Sequence, residues 1–326
     1  MTKKGPRFPS PELLQAARNR DARIVHLTHN DLDAAGADAI HHMKYGKVFT
    51  IWCSVGKFTH ALKAIAALPG NGDTLSISDL GYCRDADASL KTAVKNDWNV
   101  EWRDHHKWTD EEKAAAEAHT SLLHIDETTC ATGVVARDLM PGDSTAAEIA
   151  RVVCDYDLWK HEDPRSKVLG QVCSLKNNQN QIRDLLAEGK FTNTFVETEF
   201  ARISHEREEC IQKSIRHTTI HAGHYKIAFA PLYGYPSETA HAIRDEMATD
   251  VEVIVSDKGR FSIRSVPPIS HLIARNFGGG GHPPAAGGSF PFTSWDRFRF
   301  KLTKSSKHFK DLATVAETIA ADTPSK

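Results

Sequence analysis

The chain has 326 residues, a formal net charge of −1, 40% hydrophobic and 25% charged residues. This is an ordinary globular composition with length enough for two domains, and it excludes a global basic field, so any nucleic-acid contact must come from a local patch. No apolar stretch approaches 18 residues, which excludes a spanning helix.

From the N-terminus, Arg23–Thr28 is a short apolar run that reads as a strand, Ala34–Met43 reads as a helix and Val48–Ser54 as a second strand. Lys57–Leu68 is helical and closed by Pro69-Gly70. Thr74–Asp79 is a third strand, Asp85–Asn96 a helix and Asn99–Arg103 a fourth strand. Repeated βα units of this length predict an α/β fold with a parallel, doubly wound sheet. Right-handed crossovers put the carboxyl ends of the strands on one edge, where such sheets bind ligands. Residues 110–190 read as mostly helical, and Phe195–His217, with Glu/Arg/Lys pairs at helical spacing, as a linker helix.

A smaller αβ pattern follows. Tyr225–Ala230 is a strand and Glu238–Met247 a helix. Val251–Val255 and Phe261–Arg264 form a hairpin turning at Asp257-Lys258-Gly259, and a helix Ile269–Asn276 leads into Gly278–Gly281. The predicted domains are residues 1–192 and 219–326, joined by the linker helix at 193–218. The six cysteines, Cys53, Cys83, Cys130, Cys154, Cys173 and Cys210, are scattered without metal-type spacing; several sit in apolar runs and read as small buried residues, and a reducing compartment fits. Met1-Thr2-Lys3-Lys4 and the polar, Pro-rich stretch after it show no secretory signal, so the cytoplasm is the expected location.

His29, Asp79 and Asp104 each end a predicted strand, which is the main physical argument for one shared site. In His29-Asn30-Asp31-Leu32-Asp33, alternate residues of an extended segment point the same way, so one imidazole and two carboxylates could reach two adjacent cations. Equally, Asp31 or Asp33 could cap the helix at Ala34. Asp79 offers two oxygens for a bridge, or is a turn residue. Asp104-His105-His106 would be costly to bury unpaired. One His could bind metal while Asp104 orients its neighbour, and a protonated His could stabilise phosphoryl charge. A solvated loop is the alternative. In Asp155-Tyr156-Asp157, Asp155 is the better ligand candidate, because Leu158 and Trp159 imply a partly buried turn. The four glycines followed by His282 expose amide N–H groups that could hold a phosphate, or form a flexible linker. Arg264 could make a bidentate phosphate contact.

In this order the segments resemble the DHH phosphoesterase family with its DHH-associated C-terminal domain, over about Ala22 to Phe290. The signature string stands as Asp104-His105-His106, and the first motif as His29-Asn30-Asp31-Leu32-Asp33-Ala34, with Ala34 where the family usually has Gly. The C-terminal motif runs from Gly279 through Gly287, preceded by Arg264-Ser265. The nearest flavour is the short two-domain nanoRNase-like and RecJ-like oligonucleotide phosphodiesterases.

The resemblance implies two Mn²⁺ ions, with Mg²⁺ or Co²⁺ as substitutes. His29, Asp31 and Asp79 would hold one. Asp33, Asp79, His105 and Asp155 would hold the other, with Asp79 bridging. Two divalent cations would balance four carboxylates. They would lower the pKa of a water for in-line attack on phosphorus, while His106, oriented by Asp104, stabilises the phosphoryl oxygens. Arg264, Ser265, Gly279, Gly280, Gly281 and His282 would bind substrate across an interdomain cleft. The expected substrates are short oligonucleotides or small phosphorylated nucleotides such as 3′-phosphoadenosine 5′-phosphate. A non-catalytic nucleotide- or RNA-binding protein is the competing class. No membrane partner is expected, and homodimerisation is left open.

Overall fold

The computed structural model describes residues 8–175 and 177–322; Met1-Thr2-Lys3-Lys4, read above for a leader, lies outside them. The chain divides into two compact units, Met1–Ala201 and Arg202–Lys326.

The first unit opens with α1 (Pro11–Arg18) and alternates β1 (Ile24–Thr28), α2 (Leu32–Tyr45), β2 (Val48–Trp52), α3 (Val55–Ala66), β3 (Thr74–Ser78), α4 (Ala86–Lys95), β4 (Asn99–Asp104), α5 (Asp110–Glu117) and β5 (Leu122–Ile125). Four helices follow: α6 (Ala131–Leu139), α7 (Ser144–Asp157), α8 (Pro164–Cys173) and α9 (Gln179–Ala187). The sheet is wholly parallel, in the order β2-β1-β3-β4-β5. The predicted doubly wound sheet is therefore present, and its strand order reverses between β1 and β3, the place where such sheets open a crevice. All five residues of β1 are buried, as expected for a strand covered on both faces. β5 lies in the stretch read as mostly helical. It is a four-residue, half-buried edge strand, too short to show a period.

Trp102 of β4 is fully buried, meets Phe58 edge-on at 5.6 Å, and satisfies its Nε1–H on the Leu80 carbonyl at 2.9 Å. On α2, a Cβ added at Gly36 would lie 2.5 Å from Thr132 Oγ1, so α2 meets α6 at a point that has no room for a side chain. Cys130 and Cys154 form a disulfide between the start of α6 and α7. This corrects the expectation of six reduced cysteines. The two are 24 residues apart in sequence, a spacing that carries no signal.

The second unit takes most of α10 (Thr194–Arg216). Next come β6 (Thr219–Ala222), β7 (Lys226–Pro231), α11 (Pro236–Met247), β8 (Val251–Val255), β9 (Arg260–Ser265), α12 (Ser270–Arg275), β10 (Gly280–His282), β11 (Ala285–Ser289), α13 (Ser294–Thr303) and α14 (His308–Asp322). Its sheet runs β10-β11-β9-β8-β7-β6, parallel only between β7 and β8. Strand alternation splits the core. Ile227, Phe229 and Val253 pack with α12 and α14, while Ala228, Ala230 and Ile254 pack with α10 and α11.

The glycine run departs from expectation. Gly280–His282 is an edge strand antiparallel to β11, so it is neither a free amide cradle nor a linker. A Cβ at Gly279 would fall 1.9 Å from the Gly287 carbonyl oxygen, so close backbone approach is what requires glycine there. Among the described residues, no helix is long and apolar enough to cross a membrane.

Candidate metal centre

The carboxyl ends of β1, β3 and β4 deliver the motif residues to one place. His29 follows β1 directly and lies 2.7 Å from Asp31 (Nδ1 to Oδ2) and 3.8 Å from Asp79 Oδ2. Asp31 also caps α2, accepting from Ala34 N at 3.1 Å through its other oxygen. Both readings of Asp31, cap and candidate ligand, therefore describe the same side chain. Asp33 accepts from Ala131 N (2.7 Å) and Thr132 N (2.8 Å) at the N-terminus of α6. His105 Nε2 stands 3.3 Å from Asp79 Oδ1 and 3.6 Å from Asp33 Oδ2. Asp79 sits between the two imidazoles with its backbone left-handed at φ 54°, a conformation disfavoured for side chains other than Asn, Asp and Gly.

The structure places Asp157, not Asp155, in this cluster. Asp157 Oδ2 is 3.7 Å from His105 Nδ1. The Asp155 carboxylate is buried and committed elsewhere, accepting from Glu162 N (2.9 Å), Asp163 N (3.2 Å) and Ser166 Oγ (2.5 Å). The two acids lie two residues apart on α7, about 200° around a helix, so only one can face the centre. Among the described residues three groups suited to a cation result, His29/Asp31/Asp79, Asp33/His105/Asp157 and Asp79/Asp104/His105/His106, each with ligand atoms within 4.8 Å of one another.

The donor set fits divalent cations on two observations. Asp79 Oδ2 is buried without a hydrogen-bond partner. The carboxylates also repel one another. Burial first, then the charges of Asp157 and Asp31, push Asp33 up to about 8. Burial and the charges of Asp33 and Asp31 hold Asp79 well above the usual carboxylate range. Burial also raises Asp157, against the pull of His105. Asp31 goes the other way: burial opposes its charge, but the hydrogen bond and charge of His29 and the Ala34 N–H together outweigh it.

A pH dependence follows. Without metal, the folded protein holds protons on Asp33, Asp79 and Asp157 that the unfolded chain releases near pH 4, so stability should fall as pH rises from about 4 to about 8. Mn²⁺ should reverse the loss at the alkaline end. Thermal melts in chelator and in Mn²⁺ across that range check this; a metal-free melting temperature that climbs with pH would contradict it.

Asp104 is fully buried, accepting from Trp108 Nε1 at 2.8 Å and contacting His106 Nδ1 at 2.8 Å. That hydrogen bond raises the His106 pKa above the ordinary imidazole range. His106 itself is exposed, so an oriented imidazole whose protonated form is favoured stands beside the carboxylates.

Beneath the site lies a polar cluster that sequence reading missed. His26 Nδ1 is 2.6 Å from Asp38 Oδ1, and its Nε2 is 2.7 Å from Ser78 Oγ. Burial opposes the charge on Asp38, yet His26, His42 and Arg183 hold its pKa at about 2. The Ser-His-Asp order resembles a nucleophilic triad, but all three are fully buried, so no substrate reaches Ser78. Thr28 and Ser78, which immediately precede His29 and Asp79, bond to each other here, and the cluster fixes the floor of the site. The signal that could have found it was polar residues at core positions: His26 inside an apolar strand, and Asp38 and His41 inside α2.

In the second unit, Arg264, Ala285 and His282 form one row across β9, β11 and β10. Arg264 is half-buried, donating to Ser237 Oγ (2.8 Å) and the Ile263 carbonyl (3.0 Å); His282, Gly279, Gly280 and Gly281 are exposed. Ser265 is corrected. It is buried, and its hydroxyl is engaged with the Pro267 carbonyl (2.6 Å) and Ser270 Oγ (2.7 Å), which pins the start of α12.

No protein-family model and no curated protein matches this chain. Solved structures do. The pGpG-specific phosphodiesterase PggH from Vibrio cholerae aligns over 86% of this chain and 98% of its own at 11% identity and a TM-score of 0.50. RecJ from Thermus thermophilus in complex with Mn²⁺ aligns over 96% of this chain and 54% of its own, at 15% identity and a TM-score of 0.45. An exonuclease RecJ bound to manganese aligns over 96% and 94%, at 16% identity and a TM-score of 0.43. With its five-stranded parallel sheet and the motif segments gathered at the strand ends, the chain has a DHH phosphoesterase-like fold.

Proposed function

We propose that the protein is a two-metal phosphoesterase that hydrolyses phosphodiester bonds of short oligonucleotides or dinucleotides. One observation carries this reading: six side chains, His29, Asp31, Asp33, Asp79, His105 and Asp157, converge from four separated segments with a buried, unpartnered carboxylate oxygen at the middle. Their mixed imidazole and carboxylate character favours Mn²⁺ over Mg²⁺, which prefers oxygen and water. Bound cations would supply Lewis acidity and a water of lowered pKa.

The chain's own residues do the rest. Asp104 fixes the His106 ring, and His106 donates a charged hydrogen bond to a non-bridging phosphoryl oxygen as negative charge grows. Arg264, His282 and the glycine edge strand bind the nucleotide moiety. A complete ligand set argues against the non-catalytic reading. The deciding assay follows products by mass spectrometry, with Mn²⁺, on di- to decanucleotides including pGpG and on 3′-phosphoadenosine 5′-phosphate. Release of mononucleotides supports the proposal; release of phosphate from the bisphosphate alone would replace it with a phosphatase.

Two expected results refine the roles. Asp104→Asn weakens the hydrogen bond and removes the charge that raise the His106 pKa, so the alkaline limb of the kcat–pH profile should move to lower pH. An unmoved limb would detach His106 from that limb. Arg264→Ala should raise KM for a dinucleotide by roughly 10- to 100-fold, the worth of a lost charged hydrogen bond of about 1.5–3 kcal/mol. Bis-p-nitrophenyl phosphate, which carries no nucleoside, should suffer less. Equal loss on both substrates would put Arg264 in the chemical step.

A further inference from the structure

α13 carries two apolar faces. Phe300 turns into the core of its unit, while Trp295, Phe298 and Leu302, at spacings of three and four residues, are 67%, 54% and 69% exposed. At 3.6 residues per turn these three fall on one stripe roughly 60° wide, nearly opposite Phe300. A surface helix ordinarily has a single apolar stripe and turns it inward. The Trp295 and Phe298 rings lie as near-parallel plates, centroids 5.6 Å apart and 28° between planes.

The charge around this stripe is one-sided. Between residues 291 and 310 stand Arg297, Arg299, Lys301, Lys304, Lys307 and Lys310 against the single acid Asp296, in a chain whose net charge is −1. Lys307 lies 3.8 Å from Asp296, and Lys304 sits over the Tyr233 ring. Arg297, Arg299 and Lys301 have no ion-pair partner among the described residues. Arg299 is one turn from Trp295 and Lys301 is three residues from Phe298, so cations border the aromatic pair on both sides.

We propose that this face of α13 docks single-stranded nucleic acid, with bases stacking on Trp295 and Phe298 and phosphates meeting Arg299 and Lys301. Aromatic plates beside unpaired cations match a polymer of flat bases on an anionic backbone. A second copy of the chain would bring the same positive segment against itself, which like charges disfavour. An anionic bilayer meets the charge but gives no use to the parallel ring geometry. This site shares no residue with the metal centre, so it stands independently of the phosphodiesterase reading.

The test uses the full chain with chelator present, so that binding is read without hydrolysis. The probe is a fluorescently labelled oligouridylate of about a dozen residues, followed by polarisation. Trp295→Ala should weaken binding about tenfold, the scale of one lost base stack. Arg299→Glu with Lys301→Glu should weaken it at least as much and flatten its salt dependence. Both variants should keep wild-type melting temperatures, since the altered side chains are exposed. Wild-type affinity in Trp295→Ala at an unchanged melting temperature would overturn the proposal. So would losses confined to phosphatidylserine vesicle binding, or to self-association in sedimentation, with oligouridylate binding intact.

Discussion

Asp79→Ala is expected to lower kcat by at least ~10³-fold, on the scale of the several kcal/mol that metal centres supply to transition states. Asp79 stands between His29 and His105, at 3.8 and 3.3 Å, and its buried Oδ2 has no other partner. Its loss therefore removes a ligand from the His29/Asp31/Asp79 group and from the group it forms with His105, and elemental analysis should find fewer than two metals per chain. The metal-free fold should not suffer in the same way, because the substitution relieves repulsion with Asp33 and Asp31. Since Ala tolerates the left-handed backbone at φ 54° less well than Asp, Asp79→Asn is the companion variant that keeps the local conformation. Two metals per chain with near-normal turnover in both variants would mean that Asp79 does not bridge.

Asp157→Ala and Asp155→Ala should separate cleanly, although the residues are two apart. Asp157 faces His105, so its removal should cut metal affinity and reduce turnover by ~10²-fold or more, with little loss of stability. Asp155 holds the loop before α8 through Glu162 N, Asp163 N and Ser166 Oγ. Its removal leaves buried donors unpaired, which should cost about 1–3 kcal/mol of stability while metal content stays unchanged. Those hydrogen bonds outweigh burial and hold the Asp155 pKa below its usual value, so its contribution is present above about pH 4 and is lost as pH falls through the carboxylate range. Paired melts and metal titrations read both effects. The reverse pattern would return Asp155 to the centre.

Four of the five strands of the first sheet were legible because their signals are local. Each of β1 to β4 is a short apolar run closed by a polar turn, and the residue that ends or follows three of them is His29, Asp79 or Asp104. A parallel sheet aligns strand ends, so a chain-order pattern becomes a spatial cluster without further information. In the second sheet β7 and the hairpin of β8 and β9 were legible, while β6 and β10 were not read as strands. β10 was hidden because glycines in a close-packed edge strand read the same as glycines in a loop. α13 and α14 lie beyond the last motif that was read.

By itself, then, the sequence determined which segments meet: the strand period and the polar residues at strand ends are properties of neighbouring residues. Tertiary structure decided which atoms those segments present. Asp155 and Asp157 have the same chemistry on one helix, and the choice between them rests on the rotation of α7. That rotation is set by donors from residues 162–166 that capture Asp155. Ser265 was drawn inward by Ser270, and Cys130 met Cys154, because packing brought their elements together. Each outcome depends on a partner distant in the chain or on a helix's rotation about its own axis, and a pattern of adjacent residues encodes neither.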